Sequence, residues 1–171
     1  MVEAERSGFD PVPETVEELI DPLWLSAALD LRHHGCRVKS VDVVTHTRTI
    51  ASKVRLDLTF VDPGSPPAPR FLCAKGYFGN GASLGGAGGP EAHFYRELAA
   101  SAGPRVPECH YIGVKGENEL SVLLLEDLGR PSTELRTALT PFNPDESAAT
   151  LEQLARLHAG SWGRGSFSRT G

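Results

Sequence analysis

The stretch SKVRLDLTF, residues 52–60, places Val54, Leu56, Leu58 and Phe60 at every second position, with Arg55, Asp57 and Thr59 between them. A two-residue hydrophobic repeat matches a strand with one face on a core and the other in water, and it conflicts with the 3.6-residue period of a helix. Val38, Val41, Val43 and Val44 predict a strand before it, with Thr45 to Lys53 as the turn. The proline- and glycine-rich VDPGSPPAP then reads as a surface loop, and Phe71 to Lys75 as the next strand. Three strands joined by short loops predict an antiparallel meander, because a parallel pair needs a long crossover.

Further along, CHYIGV and LSVLLLEDL flank the turn sequence KGEN and predict a second hairpin, for a sheet of about five strands. Thr15 and Glu18 form a capping-box pattern ahead of Leu19, Leu23, Trp24, Leu25 and Leu29, so a helix is predicted over 15–31, bent or restarted at Pro22. A second helix runs from Glu91 to Ala100 and is stopped by GPRVP. A third starts at Asn143 as its cap, with Pro144 first and Glu146 three residues after the cap, and extends to Ala159. Residues 1–14 read as a loose lead-in, and the final GSWGRGSFSRTG has no periodicity. The order helix, three strands, helix, two strands, helix is that of an α+β fold built on an antiparallel sheet.

Composition narrows the function. Of the 171 residues, 40% are hydrophobic and 23% charged, which are globular values, and a net charge of -5 argues against nucleic acid as the main partner. No run approaches the roughly 18 apolar residues of a membrane span, and the first thirty residues lack a continuous apolar leader core, so a cytoplasmic protein with no membrane partner is expected. Cys36, Cys73 and Cys109 are odd in number and far apart, which predicts reduced thiols and no metal site made by them.

The chemistry-bearing residues lie in FLCAKGYFGNGASLGGAGGPEAHFYREL, residues 71–98. Strand alternation puts Phe71, Cys73 and Lys75 on one face, and an ammonium among apolar neighbours needs an anionic partner. On the next helix Glu91 shares a stripe with Phe94, Tyr95 and Leu98, whereas Glu97 points about 120° away from it toward solvent. An inward lysine and an inward glutamate form the pair that fixes an ammonium over nucleotide phosphates; the plainer alternative is a snorkelling lysine and a glutamate held by the helix dipole. The glycines fit neither phosphate-loop pattern: the lysine precedes them, and Gly79, Gly81 and Gly85 space as GxGxxxG, one residue off the dinucleotide fingerprint. They read as a loose connector, and an oxidoreductase would further require a parallel βαβ unit that the hairpin pattern opposes.

WLSAAL, FLCAK, EAHFYREL, VPECHYIG, LLLEDLG and LEQLARLHAGSW, in this order over nearly the whole chain, resemble the aminoglycoside phosphotransferase and ecdysteroid/choline kinase-like group of small-molecule kinases. The resemblance implies a protein-kinase-like N-terminal lobe over 15–128, an antiparallel sheet with one packed helix and an N-terminal helix, followed over 129–171 by the first helix of an incomplete helical C-terminal lobe. It also implies ATP and Mg²⁺ as cofactors and a small-molecule hydroxyl as acceptor. Lys75 matches the strand lysine that meets the α- and β-phosphates, Glu91 its helix partner, and Cys73 a small residue lining the adenine pocket. Glu126 to Leu128 match the hinge whose backbone bonds the adenine edge. The turn THTRTIASK lacks the glycine usual over the phosphates, and Ser52 or amides near Ala51 stand in as substitutes. In that family the catalytic aspartate and a metal-binding aspartate both follow the LARLHA helix, and the sequence stops at Gly171 before either. The resulting expectation is a truncated gene product, fragment or remnant that binds nucleotide without turnover, or a non-catalytic interaction module retaining the lobe.

Overall fold

The computed structural model describes residues 12–49, 51–78, 89–115, 120–129, 136 and 139–162. The glycine-rich connector, most of the KGEN turn and the chain after Trp162 lie outside them. The fold is α+β, and the five strands among the described residues form one antiparallel sheet.

Pro22 does divide the first helix. Helix α1 spans Val16–Leu19 with Thr15 as its cap, and α2 spans Pro22–Asp30, restarted by the Asp21 side chain accepting from Leu23 N at 2.9 Å. A proline has no N–H to bond the preceding turn, but the first helical position does not need one.

Strand β1 is Arg37–Arg48 and β2 is Ser52–Asp62. The turn between them is shorter than the sequence predicts, because the β-branched Thr45 and Thr47 extend β1 until Arg48 pairs with Ser52, with Thr49 N bonded to Ala51 O. Strand β3, Phe71–Gly76, completes the meander. The hairpin of β4, Cys109–Lys115, and β5, Leu120–Glu126, joins through β5, giving the order β1-β2-β3-β5-β4. Docking β5 beside β3 is what brings the segment after β5 alongside Cys73.

The two faces of the sheet are covered differently. Val54, Leu56 and Leu58 of β2, with Leu72, Ala74, Val122 and Leu124, pack against Leu19, Leu25, Ala28 and Leu29 of the N-terminal helices. Helix α3, Gly89–His93, and the π-helical turn Phe94–Leu98 lie on the other face, where Ala92 is buried with Leu123 and Leu125. The predicted helix is therefore in place but changes winding at Phe94. Because α3 covers only the β4–β5 side, a cleft opens beside it over β1, β2 and β3.

Helix α4, Pro144–Ser161, carries the predicted capping box: Asn143 Oδ1 accepts from Glu146 N, and Glu146 Oε2 accepts from Asn143 N, both at 2.9 Å. Asn143→Ala is expected to cost about 1 kcal/mol of stability, seen as reduced helical ellipticity and an earlier urea midpoint. Among the described residues no helix is long and apolar enough to cross a membrane.

A buried histidine pair ties the N-terminal helices to the sheet. His33 Nδ1 donates to Pro66 O at 2.7 Å, so in neutral His33 the Nε2 atom accepts from His110 Nδ1 at 3.1 Å. Burial holds the His110 imidazole below its ordinary 6.5. The unfolded chain then takes up a proton that the native chain refuses, so stability is full above pH 6.5 and falls as the pH drops below it. Urea midpoints between about pH 7.5 and about pH 5 should decline, and His110→Gln should flatten the decline.

Candidate functional site

The antiparallel register lays the cleft floor down in two rows. Thr47 of β1, Lys53 of β2 and Lys75 of β3 are successive cross-strand neighbours, and the row continues to Leu123 of β5, which is buried with Ala92 of α3 and not in the cleft. Two residues along on the same face come Thr45, Arg55, Cys73 and Leu125. The cleft above them is about 370 Å³ and is walled by Glu91 and Tyr95 on one side and by Glu126 to Gly129 at one end.

Lys75 and Glu91 meet directly. Nζ lies 2.8 Å from Glu91 Oε1 and 2.6 Å from Oε2, with the two side chains 26% and 32% exposed. The small Ala92 lets α3 settle against β5, which brings the neighbouring Glu91 within reach of β3. Glu97 stands on the exposed side of the π-helical turn, with His93 Nδ1 3.2 Å from its carboxylate. The residue selected by helical spacing is therefore the one in contact.

The far end of the cleft is ionic. Arg55 Nε donates to both oxygens of Asp127, at 3.0 and 3.1 Å, and its Nη2 donates to Oδ2 at 3.0 Å and to Gly129 O. Asp127 Oδ1 also accepts from Gly129 N at 2.9 Å. This clasp holds the guanidinium pKa above its ordinary value, chiefly through the Asp127 hydrogen bond. Burial and, next, the Asp127 charge push the Cys73 thiol up, so Cys73 lines the cleft as a neutral group. Tyr95 is likewise pushed up to about 12 by burial and by Glu91.

The clasp narrows what the predicted hinge can offer. Glu126 N already donates to Glu108 O at 2.7 Å, and both backbone groups of Gly129 are engaged with Asp127 and Arg55. Leu128, at the cleft rim, makes no backbone hydrogen bond to the other described residues, so its N–H and C=O are open to a ligand.

Five of the six residues picked from sequence, Cys73, Lys75, Glu91, Glu126 and Leu128, line this one cleft. Ser52 does not. It is buried at the start of β2 in phase with Val54 and Leu56, so its side chain belongs to the opposite face of the sheet, and the predicted stand-in for a glycine loop is corrected accordingly. The positions on the cleft face are Lys53, Thr47 and Thr45.

Sequence reading missed Arg55 by assigning the polar face of β2 to solvent, missed Lys53 by placing it in the turn before the strand, and missed the role of Asp127. The signal for the first two was present in the alternation, since the face that carries Lys75 on β3 carries Lys53 and Arg55 on the strand beside it.

Among the described residues no group of three or more His, Cys, Asp and Glu side chains is placed to hold a metal ion. Glu91 and Asp127, two of the cleft acids, are each bound to a cation. The Mg²⁺ that the resemblance implies thus finds no ligand set among these residues. No protein-family model, curated protein or solved structure matches the chain.

Proposed function

We propose that the chain is the nucleotide-binding lobe of a small-molecule kinase of the aminoglycoside phosphotransferase and choline kinase-like group. ATP would lie in the cleft with its phosphates at the lysine end and its base toward Leu128. The observation that carries this reading is the Lys75–Glu91 pair, with both carboxylate oxygens within 2.8 Å of Nζ at the wall of an open cleft. A carboxylate that grips the ammonium from one side fixes its position and leaves its remaining N–H donors for phosphate oxygens. Strand order and one helix packed beside the cleft are in keeping with a kinase-like lobe.

What these residues supply is anchoring and charge neutralisation, the main protein contributions to phosphoryl transfer. The reaction class in this reading is transfer of the γ-phosphoryl group to a small-molecule hydroxyl. The part that falls to this chain's own cleft residues is to bind the nucleotide and hold its phosphates in one orientation.

A second reading, a non-catalytic interaction module, is favoured by apolar side chains on and around α4: Leu151 is 62% exposed and Trp162 85%. Titration of a fluorescent ATP analogue separates the two. Saturable binding displaced by unlabelled ATP and not by NAD supports the nucleotide reading; absence of saturation removes it in favour of the module.

A further inference from the structure

The three cations on the cleft floor differ in how their charge is met. Lys75 is bound by both oxygens of Glu91, and Arg55 is bound by Asp127. Lys53 has no ion-pair or hydrogen-bond partner among the described residues. It stands directly across from Lys75 on the neighbouring strand and directly across from Thr47 on the other side.

Like charges directly opposite one another on adjacent strands destabilise a sheet. Such a pair becomes favourable when an anion lies over both. Adjacent strands are about 4.8 Å apart, so the two lysines rise side by side from the floor and face neighbouring groups of one extended ligand. At the other end of the cleft Arg55 offsets Asp127 and leaves the charge of Glu126, which directs the anionic part of a ligand toward the lysine row.

We infer that Lys53 is a second phosphate anchor, and that the row Thr47, Lys53 and Lys75 selects a linear polyphosphate chain over a single phosphate. In this role Lys53 supplies from β2 the contact that a glycine-bearing turn would otherwise make with backbone amides. The Thr47 hydroxyl, on the same row, donates to the outer edge of the chain. The inference rests on the nucleotide reading for the identity of the natural ligand and on the register alone for the anchor.

The test measures affinities of the 171-residue protein for inorganic tripolyphosphate, ATP and AMP by calorimetry, with Lys53→Ala and Lys53→Arg beside the wild type. A charge-assisted contact of the ordinary strength gives a loss of about tenfold or more. Lys53→Ala should therefore weaken tripolyphosphate and ATP by at least that factor and change AMP by no more than about twofold, and Lys53→Arg should recover most of the loss. The thermal midpoint of Lys53→Ala should equal or exceed that of the wild type, because the repulsion from Lys75 is gone. Unchanged tripolyphosphate affinity in Lys53→Ala, or equal losses for tripolyphosphate and AMP, overturns the inference while leaving the ATP reading in place. Lys53-dependent tripolyphosphate binding with ATP no tighter than tripolyphosphate keeps the anchor and removes the nucleotide reading. A wild type that binds neither overturns both.

Discussion

Asp127→Ala is expected to lower the unfolding free energy by about 3 kcal/mol. The Asp127 side chain is 4% exposed and receives three close contacts from Arg55 and one from Gly129 N. Truncating it strands a guanidinium at the cleft end and leaves a backbone donor without its acceptor. Removing one partner of a buried pair costs about 3–5 kcal/mol, and the lower end applies because Arg55 is 28% exposed and water can reach part of it. For a chain of this length the thermal midpoint should fall by about 6–12 °C.

The cost arises from the unpaired charge more than from the lost attraction, and the two can be separated. Arg55→Leu combined with Asp127→Leu removes both charges and should lie closer to the wild type than Asp127→Ala alone. An Asp127→Ala protein within about 0.5 kcal/mol of wild type would mean that the clasp contributes little to holding the segment after β5 against β2.

Local periodicity made one half of the site legible and topology hid the other. Lys75 and Glu91 are 16 residues apart, each on a segment whose repeat announces which way it faces, and each needs the other because its charge is partly withdrawn from water. Arg55 and Asp127 are 72 residues apart and touch only because β5 docks beside β3, a pairing that no local pattern encodes. Ser52 illustrates the opposite failure. Its parity with Val54 and Leu56 was readable, and assigning it to the turn rather than to the strand concealed that it faces the core.

The fold shows the same division. Capping residues fixed the starts of α1, α2 and α4, since a side chain two or three residues from the N–H it satisfies is a local signal. The change to π-helical winding at Phe94 carried no such signal, and the extension of β1 to Arg48 carried only the strand preference of the β-branched Thr45 and Thr47. Both are settled by what the segment packs against, Leu123 and Leu125 in the first case and ten register pairs with β2 in the second.

Lys75 carries the second large effect. Its side chain lies with Lys53 at the end of the cleft where the proposed nucleotide would place its phosphates, and alanine would remove that donor and leave the Glu91 carboxylate alone at the wall of the cleft. The site then loses an attraction and gains a repulsion toward phosphate at the same point, so the loss should exceed that for Lys53. Lys75→Arg should recover only part of it, because a planar fork seated on Glu91 aims its remaining donors differently from an ammonium. Glu91→Gln keeps the shape and releases the lysine, and a smaller loss is expected from it than from Lys75→Ala.

The most direct measurement is a titration of the fluorescent ATP analogue against wild type and Lys75→Ala under identical salt, with circular dichroism showing that the variant is folded. Saturable binding to the wild type and a loss of at least about a hundredfold in the variant are expected. Equal affinity of the two proteins would contradict this, placing the nucleotide somewhere other than the cleft between Lys75 and Glu91.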